Sequence, residues 1–231
     1  MTWKYNELRQ VGVDFENFDQ VAQYDLKQGS DRGTERRLVE RFCVSPGQVV
    51  VDLGCGTGSF ALEAARVGAS VRAVDVSRTM LDFVHDAASR EGLSNLEIEH
   101  AGFLTFKAPK SSIDLVVSRF ALHHLPDFWK QVALIRLNDV LRPAGRLYVQ
   151  DVVFSFDVET YDIAIEDWVS RMPKESGFSR TEFETHVREE YSTFAWVLEG
   201  FFDRAGFDIL DKMYFSQEYA EYVCGPKIFT A

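Results

Sequence analysis

The ten residues at 49–58, Val-Val-Val-Asp-Leu-Gly-Cys-Gly-Thr-Gly, constrain this chain most. Three consecutive β-branched residues at 49–51 predict a buried strand that ends at Asp52. Glycines 54, 56 and 58 make a turn, and residues 59–67 continue as a helix with Phe60, Ala64 and Val67 on one face. Glycine lets a ligand approach the backbone closely, and the N–H groups of a helix start face whatever binds there. A dinucleotide site would want G-x-G-x-x-G. The spacing here is G-x-G-x-G, with an acid two residues before the first glycine. Asp52 therefore suits a ligand with an ammonium group better than a pyrophosphate. The next apolar run, Ser70–Asp75, also ends in an acid. An acid at the tip of strand two can accept both hydroxyls of an adenosine ribose.

Length and charge bound the rest. With 231 residues and 46% hydrophobic content, the chain can bury a sizeable core. No apolar run approaches the roughly 20 residues that span a bilayer, so no membrane segment is expected. The first residues lack a signal-peptide pattern. Three cysteines without a CxxC pair argue against a disulfide framework or a structural zinc site, and a cytoplasmic protein with reduced thiols is expected. A net charge of −11 argues against nucleic acid, because phosphate binding needs a basic surface.

Three segments occur in order: Val-Asp-Leu-Gly-Cys-Gly-Thr-Gly at 51–58, Ala-Val-Asp-Val-Ser at 73–77, and Ile-Asp-Leu-Val-Val-Ser-Arg-Phe-Ala-Leu-His-His-Leu at 113–125. Together they resemble the class I S-adenosylmethionine-dependent methyltransferases, nearest to the type 11 small-molecule group. The resemblance covers residues 15–155 well and the remainder in outline. It implies an α/β fold: a doubly wound, Rossmann-like, seven-stranded, mostly parallel sheet with an antiparallel last strand and a helical cap. It also implies S-adenosylmethionine as cofactor, S-adenosylhomocysteine as product, and a small-molecule acceptor methylated on oxygen, nitrogen or carbon. A non-catalytic sensor or assembly protein that binds the same cofactor is the alternative, and would carry a blocked acceptor pocket.

One methyltransferase domain is expected over residues 1–231. Its parts are N-terminal helices at 1–45, a cofactor-binding core at 46–152, a cap at 153–205 and a terminal β-hairpin at 206–231. Helices are predicted at 16–27 and 31–42. Residues 142–145 are read as ending the helix that begins at Asp127, and 146–151 as strand five. Beyond Asp151 the chain turns acidic and aromatic, with 16 of its 31 aromatic residues at 151–222. Val158, Tyr161, Ile165, Trp168 and Met172 form one helical stripe, and Phe194, Val197, Leu198, Phe201 and Ala205 another. Such rings either line an apolar acceptor pocket or pack the cap onto the sheet or a second subunit, so a homodimer is a possible assembly.

The resemblance assigns cofactor contacts residue by residue. Asp52, Gly54, Cys55 and Gly56 fall beside the methionine part. Asp75 meets the ribose and Val76 the adenine, whose far side is bounded by Gly102, Phe103 and Leu104. Ser118, Arg119 and Phe120 approach the sulfonium end. Tyr24, in a Tyr-Asp pair, closes over the cofactor or merely packs. Phe103 stacks on adenine or is a core ring. One of Arg32, Arg36 and Arg37 meets the methionine carboxylate, and the others are surface charges. On the acceptor side, His123, His124 and Asp151 are the candidate catalytic residues, since histidine takes a proton near neutral pH. The competing reading makes a histidine a packed neighbour of the cofactor and Asp151 a strand-end acid satisfied by backbone. No metal site is expected: adjacent histidines do not readily share an ion and no third ligand is evident. His85, His100 and His186 carry no pattern.

Overall fold

The computed structural model describes residues 3–9 and 32–228. The helix expected at 16–27, and Tyr24 within it, lie outside the described residues. Helix α1 (Arg32–Arg41) leads into strand β1 (Val49–Leu53). Helix α2 (Ser59–Arg66), β2 (Ser70–Asp75), α3 (Arg78–Glu91), β3 (Leu96–His100) and β4 (Ile113–Arg119) follow. Beyond a short 3-10 turn at Leu122–His124 come α4 (Asp127–Val140), β5 (Leu141–Phe154), α5 (Tyr161–Glu175), α6 (Arg180–Glu189) and the two-residue β6 (Thr193–Phe194). Helix α7 (Ala195–Arg204), β7 (Phe207–Tyr214) and β8 (Tyr219–Pro226) complete the order. No helix among the described residues is long and apolar enough to cross a membrane.

The sheet order is β3-β2-β1-β4-β5-β8-β7, with β6 a short parallel addition beside β5. Strands β1 to β5 run parallel, whereas β8 is antiparallel to both β5 and β7. This is the expected doubly wound sheet. The topology reverses between β1 and β4, the place where open α/β sheets bind ligands at the carboxyl ends of their strands.

Local chemistry sets the elements. Ser77 caps α3 by accepting the Met80 amide at 3.1 Å, and Gly92 ends that helix in the left-handed region. Strand β5 starts directly after α4, earlier than expected from the Arg-Pro-Ala-Gly run. Its pairing to β4 jumps from Ile113↔Leu141 to Leu115↔Arg146, so residues 142–145 bulge out of a continuous strand. They do not end the helix.

Two cores sandwich the sheet. Leu38, Phe60, Ala64 and Val84 pack α1, α2 and α3 on one face. Leu134 and Leu137 of α4 pack on the other with Leu198 and Phe202 of α7. Helix α7 therefore forms a layer of the sandwich through Leu198 and Phe202. Periodicity marks a helix's apolar stripe without naming the surface it meets. A third cluster of Val152, Trp168, Val169 and Phe183 holds α5 and α6 together beside the end of β5. The buried stripe of α5 is Ala164, Trp168 and Val169, while Val158 and Tyr161 are exposed. Trp196 is also exposed and packs neither layer; it stacks on Phe194.

If α7 belongs to the core, Phe202→Ala destabilises the protein by about 3–5 kcal/mol in urea unfolding. Trp196→Ala, on the opposite side of the same helix, stays within about 0.5 kcal/mol. Equal effects would contradict this placement.

Candidate functional site

The glycine loop is tied to the ends of two adjacent strands. The amides of Gly54 and Cys55 both donate to the Val74 carbonyl, at 2.8 and 3.0 Å. Asp52 Oδ2 accepts the Ala61 amide at 3.1 Å, from the first turn of α2. Asp75 Oδ2 accepts the Gly56 amide and its Oδ1 the Ser77 amide, each at 2.8 Å. Gly54 has a φ of +74°, and a Cβ there would stand 2.3 Å from the Ala121 Cβ. Gly58, with φ of +82°, would drive a Cβ to 2.7 Å from Val84 Cγ2. A Cβ on Gly56 would meet nothing within 4 Å, so the loop is open on that side.

Burial dominates the electrostatics of both acids. It pushes the Asp52 carboxyl up to about 7; the Arg119 guanidinium and the Ala61 amide oppose the shift, and Glu35 and Asp75 add to it. Asp75 is also raised by burial, against the Ser77, Gly56 and Val76 amides that favour its carboxylate. Arg119 is held by Glu35, Nη2 to Oε1 at 2.8 Å. Among the described residues, Glu35 Oε2 and Ser118 Oγ are buried polar atoms without a hydrogen-bond partner. Native proteins rarely leave such atoms unpaired, so these mark polar demand at the loop. Arg32, Arg36 and Arg37 instead turn to Glu63, Glu40 and Thr34 on the surface. Arg119 lies close enough to Asp52 to stabilise its carboxylate.

Phe103 is buried and belongs to the main core cluster beside β4 and α4. Gly102 lies against Val76, with the Gly102 amide donating to Thr105 Oγ1 at 2.9 Å. Glu7, from the N-terminal segment, accepts the Leu104 amide at 2.8 Å and the Thr105 hydroxyl at 2.7 Å. Nothing in the sequence around Glu7 signals this long-range contact.

Across the carboxyl edge, Phe120 holds a φ of +51° and packs edge-on to Tyr219. That strained conformation sets the corner between the loop and a cavity of about 560 Å³ under the cap. His123, His124, Trp168, Arg171, Phe183, His186 and Glu190 are among its walls.

His123 has both ring nitrogens engaged. Nδ1 bonds Asp151 Oδ1, and Nε2 stands 3.2 Å from Glu190 Oε2. Burial opposes charge on this ring, but the two carboxylates overcome it and push its pKa up to about 10. Burial likewise disfavours charge on Asp151, yet the His123 imidazolium holds it below the usual carboxylate range. His124 is pushed down to about 3 by burial and by His123. The two rings thus sit in one buried, charge-coupled cluster, where the carboxylates favour the protonated form of His123 and burial favours the neutral form of His124. His186, which carries no sequence pattern, joins the same cluster. Its Nδ1 bonds Glu190, and its Nε2 lies 2.7 Å from Ser192 Oγ.

A family model described as a methyltransferase domain matches residues 50–145. An uncharacterized methyltransferase of Bacillus cereus is 30% identical over 160 residues, 69% of each chain. Phosphoethanolamine N-methyltransferase 2 of Haemonchus contortus, solved with S-adenosyl-L-methionine, superposes with a TM-score of 0.69 at 15% identity, over 94% of this chain and 60% of that one. Geranyl diphosphate C-methyltransferase of Streptomyces coelicolor, solved with S-adenosyl-L-homocysteine, gives 0.65 at 11% identity, over 84% and 76%. The glycine loop between two strand-end acids, the sheet order and this kinship agree: the chain belongs to the class I S-adenosylmethionine-dependent methyltransferase family.

Proposed function

We propose that the protein moves the methyl group of S-adenosylmethionine onto a small molecule held between the sheet's carboxyl edge and the cap. The observation that carries this reading is the cavity of about 560 Å³, a volume typical of small-ligand pockets. Aromatic rings of Phe120, Trp168, Phe178 and Phe183 supply its apolar wall, and Arg171, His123 and Glu190 its polar points. Open space of this kind favours turnover over a sensor that only binds the cofactor. The small-molecule names of the two solved neighbours and the net charge of −11 point the same way. Three free cysteines suit a cytoplasmic setting.

The loop region fits the cofactor on its own chemistry: an open glycine face, two buried acids and two unpartnered buried oxygens. In this assignment Asp52, Gly54, Cys55, Gly56 and Ser118 hold the methionine part, with Arg119 as its counter-charge. Asp75 and Val76 take the ribose and adenine, and Gly102 and Leu104 bound the adenine. When bound, S-adenosylmethionine supplies a methyl group already activated on sulfur. The chain's task is then to orient the acceptor in line and exclude water. Phe120, at the corner between loop and cavity, is the residue placed to do both.

Cofactor affinity depends on Asp52 ionisation. A cationic ligand favours the carboxylate, so the bound pKa lies below the free value of about 7. S-adenosylhomocysteine affinity is therefore full above pH 7 and falls as pH drops through it, by up to about tenfold per pH unit. Asp52→Asn flattens that profile, and an unchanged slope in calorimetry would remove Asp52 from the ammonium site. For the acceptor, labelled S-adenosylmethionine incubated with a fractionated cell extract should place label in the low-mass fraction. Label in protein or nucleic acid would overturn the small-molecule reading. Ser176→Trp, which fills the cavity wall, should abolish transfer while leaving cofactor affinity intact.

A further inference from the structure

The geometry points to a binding site for a divalent first-row transition cation, made by His123 Nε2, His186 Nδ1 and a Glu190 carboxylate oxygen. These three donor atoms lie within 4.8 Å of one another. Both nitrogens already converge on Glu190 Oε2. Ligands placed about 2.0–2.2 Å from one ion stand roughly 3–3.5 Å apart, so the donors, now within 4.8 Å of one another, close on a cation by drawing in by about 1–2 Å at most.

The second nitrogen of each ring is already committed. His123 Nδ1 bonds Asp151, whose carboxylate is itself fixed by the His123 and Val152 amides at 3.1 and 2.8 Å. His186 Nε2 is paired with Ser192 Oγ. Metal-bound histidines carry such outer partners, which fix the ring and the tautomer. The backbone supports the same arrangement. His186 and Glu190 are four residues apart at the end of α6, whose start is set by the Ser179–Glu182 capping box. The Tyr191 amide donates to the His123 carbonyl at 2.9 Å, fastening that helix end to the turn carrying His123.

Two imidazoles and one carboxylate suit zinc, iron, manganese, cobalt or nickel, whereas calcium and magnesium prefer oxygen ligands throughout. When the cation binds, the proton on His123 Nε2 leaves to solvent, and His186 gives up its Nδ1 proton and takes one on Nε2, which then donates to Ser192 Oγ. Three protein donors leave coordination positions open, and all three residues line the cap cavity. An ion there would bind the oxygen of an acceptor and lower its pKa, so the substrate class is a molecule with an ionisable oxygen, such as a phenol, enol or hydroxy acid. That use of the ion rests on the methyltransferase reading above; its binding does not.

The test is cobalt(II) titration of the metal-stripped full chain, followed by visible d–d absorption and calorimetry. It is run in a Cys43→Ser background because that thiol is exposed. One equivalent should bind saturably. Glu190→Gln and His186→Gln should each weaken binding by about a hundredfold or more, and Asp151→Asn by about ten- to a hundredfold. Circular dichroism and S-adenosylhomocysteine titration on every variant report folding. Wild type that binds S-adenosylhomocysteine but takes up no stoichiometric cobalt overturns the site. Folded variants that bind cobalt as wild type does overturn it equally. Cobalt uptake without S-adenosylhomocysteine binding would keep the metal site and discard the cofactor assignment.

Discussion

Two buried carboxylates at the ends of neighbouring parallel strands hold this structure's working edge together. Asp52 accepts an amide from the first turn of α2, and Asp75 accepts one from the middle of the glycine loop. Because β1 and β2 are registered Leu53↔Val74, these acids are fixed to each other by the sheet. The loop between them has little freedom left. Gly54 and Gly58 are the positions where a side chain would collide with Ala121 or Val84, while Gly56 stays open. Burying two carboxylates so close raises both pKa values, a cost that a cationic ligand would relieve. The loop's geometry and its electrostatics thus favour one kind of occupant.

The opposite side of the edge is built by different means. The cap is small, with its own core of Val152, Trp168, Val169 and Phe183, and its α6 end is fastened to the turn after β4. That fastening gathers His123, Asp151, His186 and Glu190, which come from three separate stretches of chain. A loose cap would not keep four ionisable groups buried in contact, because each needs its partner to offset desolvation. Phe120, in the left-handed region, lines the same cavity as this cluster.

The parts legible in the sequence were those whose signal is local. A β-branched run, an acid and three glycines within ten residues define strand, turn and helix start without reference to anything distant. The alternation of strands and helices gave the sheet, and the final antiparallel pair followed from the family resemblance. Partners from far along the chain were not legible. Glu7, Glu35, His186 and Glu190 carry no periodic or motif signal, and each acts through a contact with a remote segment. Apolar residues were ambiguous for another reason. Phe103 and the stripe of α7 are hydrophobic whether they face a ligand, a cap or the central core, and only packing separates these cases. The Arg-Pro-Ala-Gly run misled because a bulge and a helix stop use the same residues.

The most direct measurement is calorimetric titration of S-adenosylhomocysteine into the wild-type protein and Asp75→Ala. The account predicts wild-type binding near micromolar, about −8 kcal/mol, weakened at least tenfold by the substitution in a protein that keeps its fold. Absent binding by folded wild type, or equal binding by both proteins, would contradict the claim that the glycine loop and its two strand-end acids form the cofactor site.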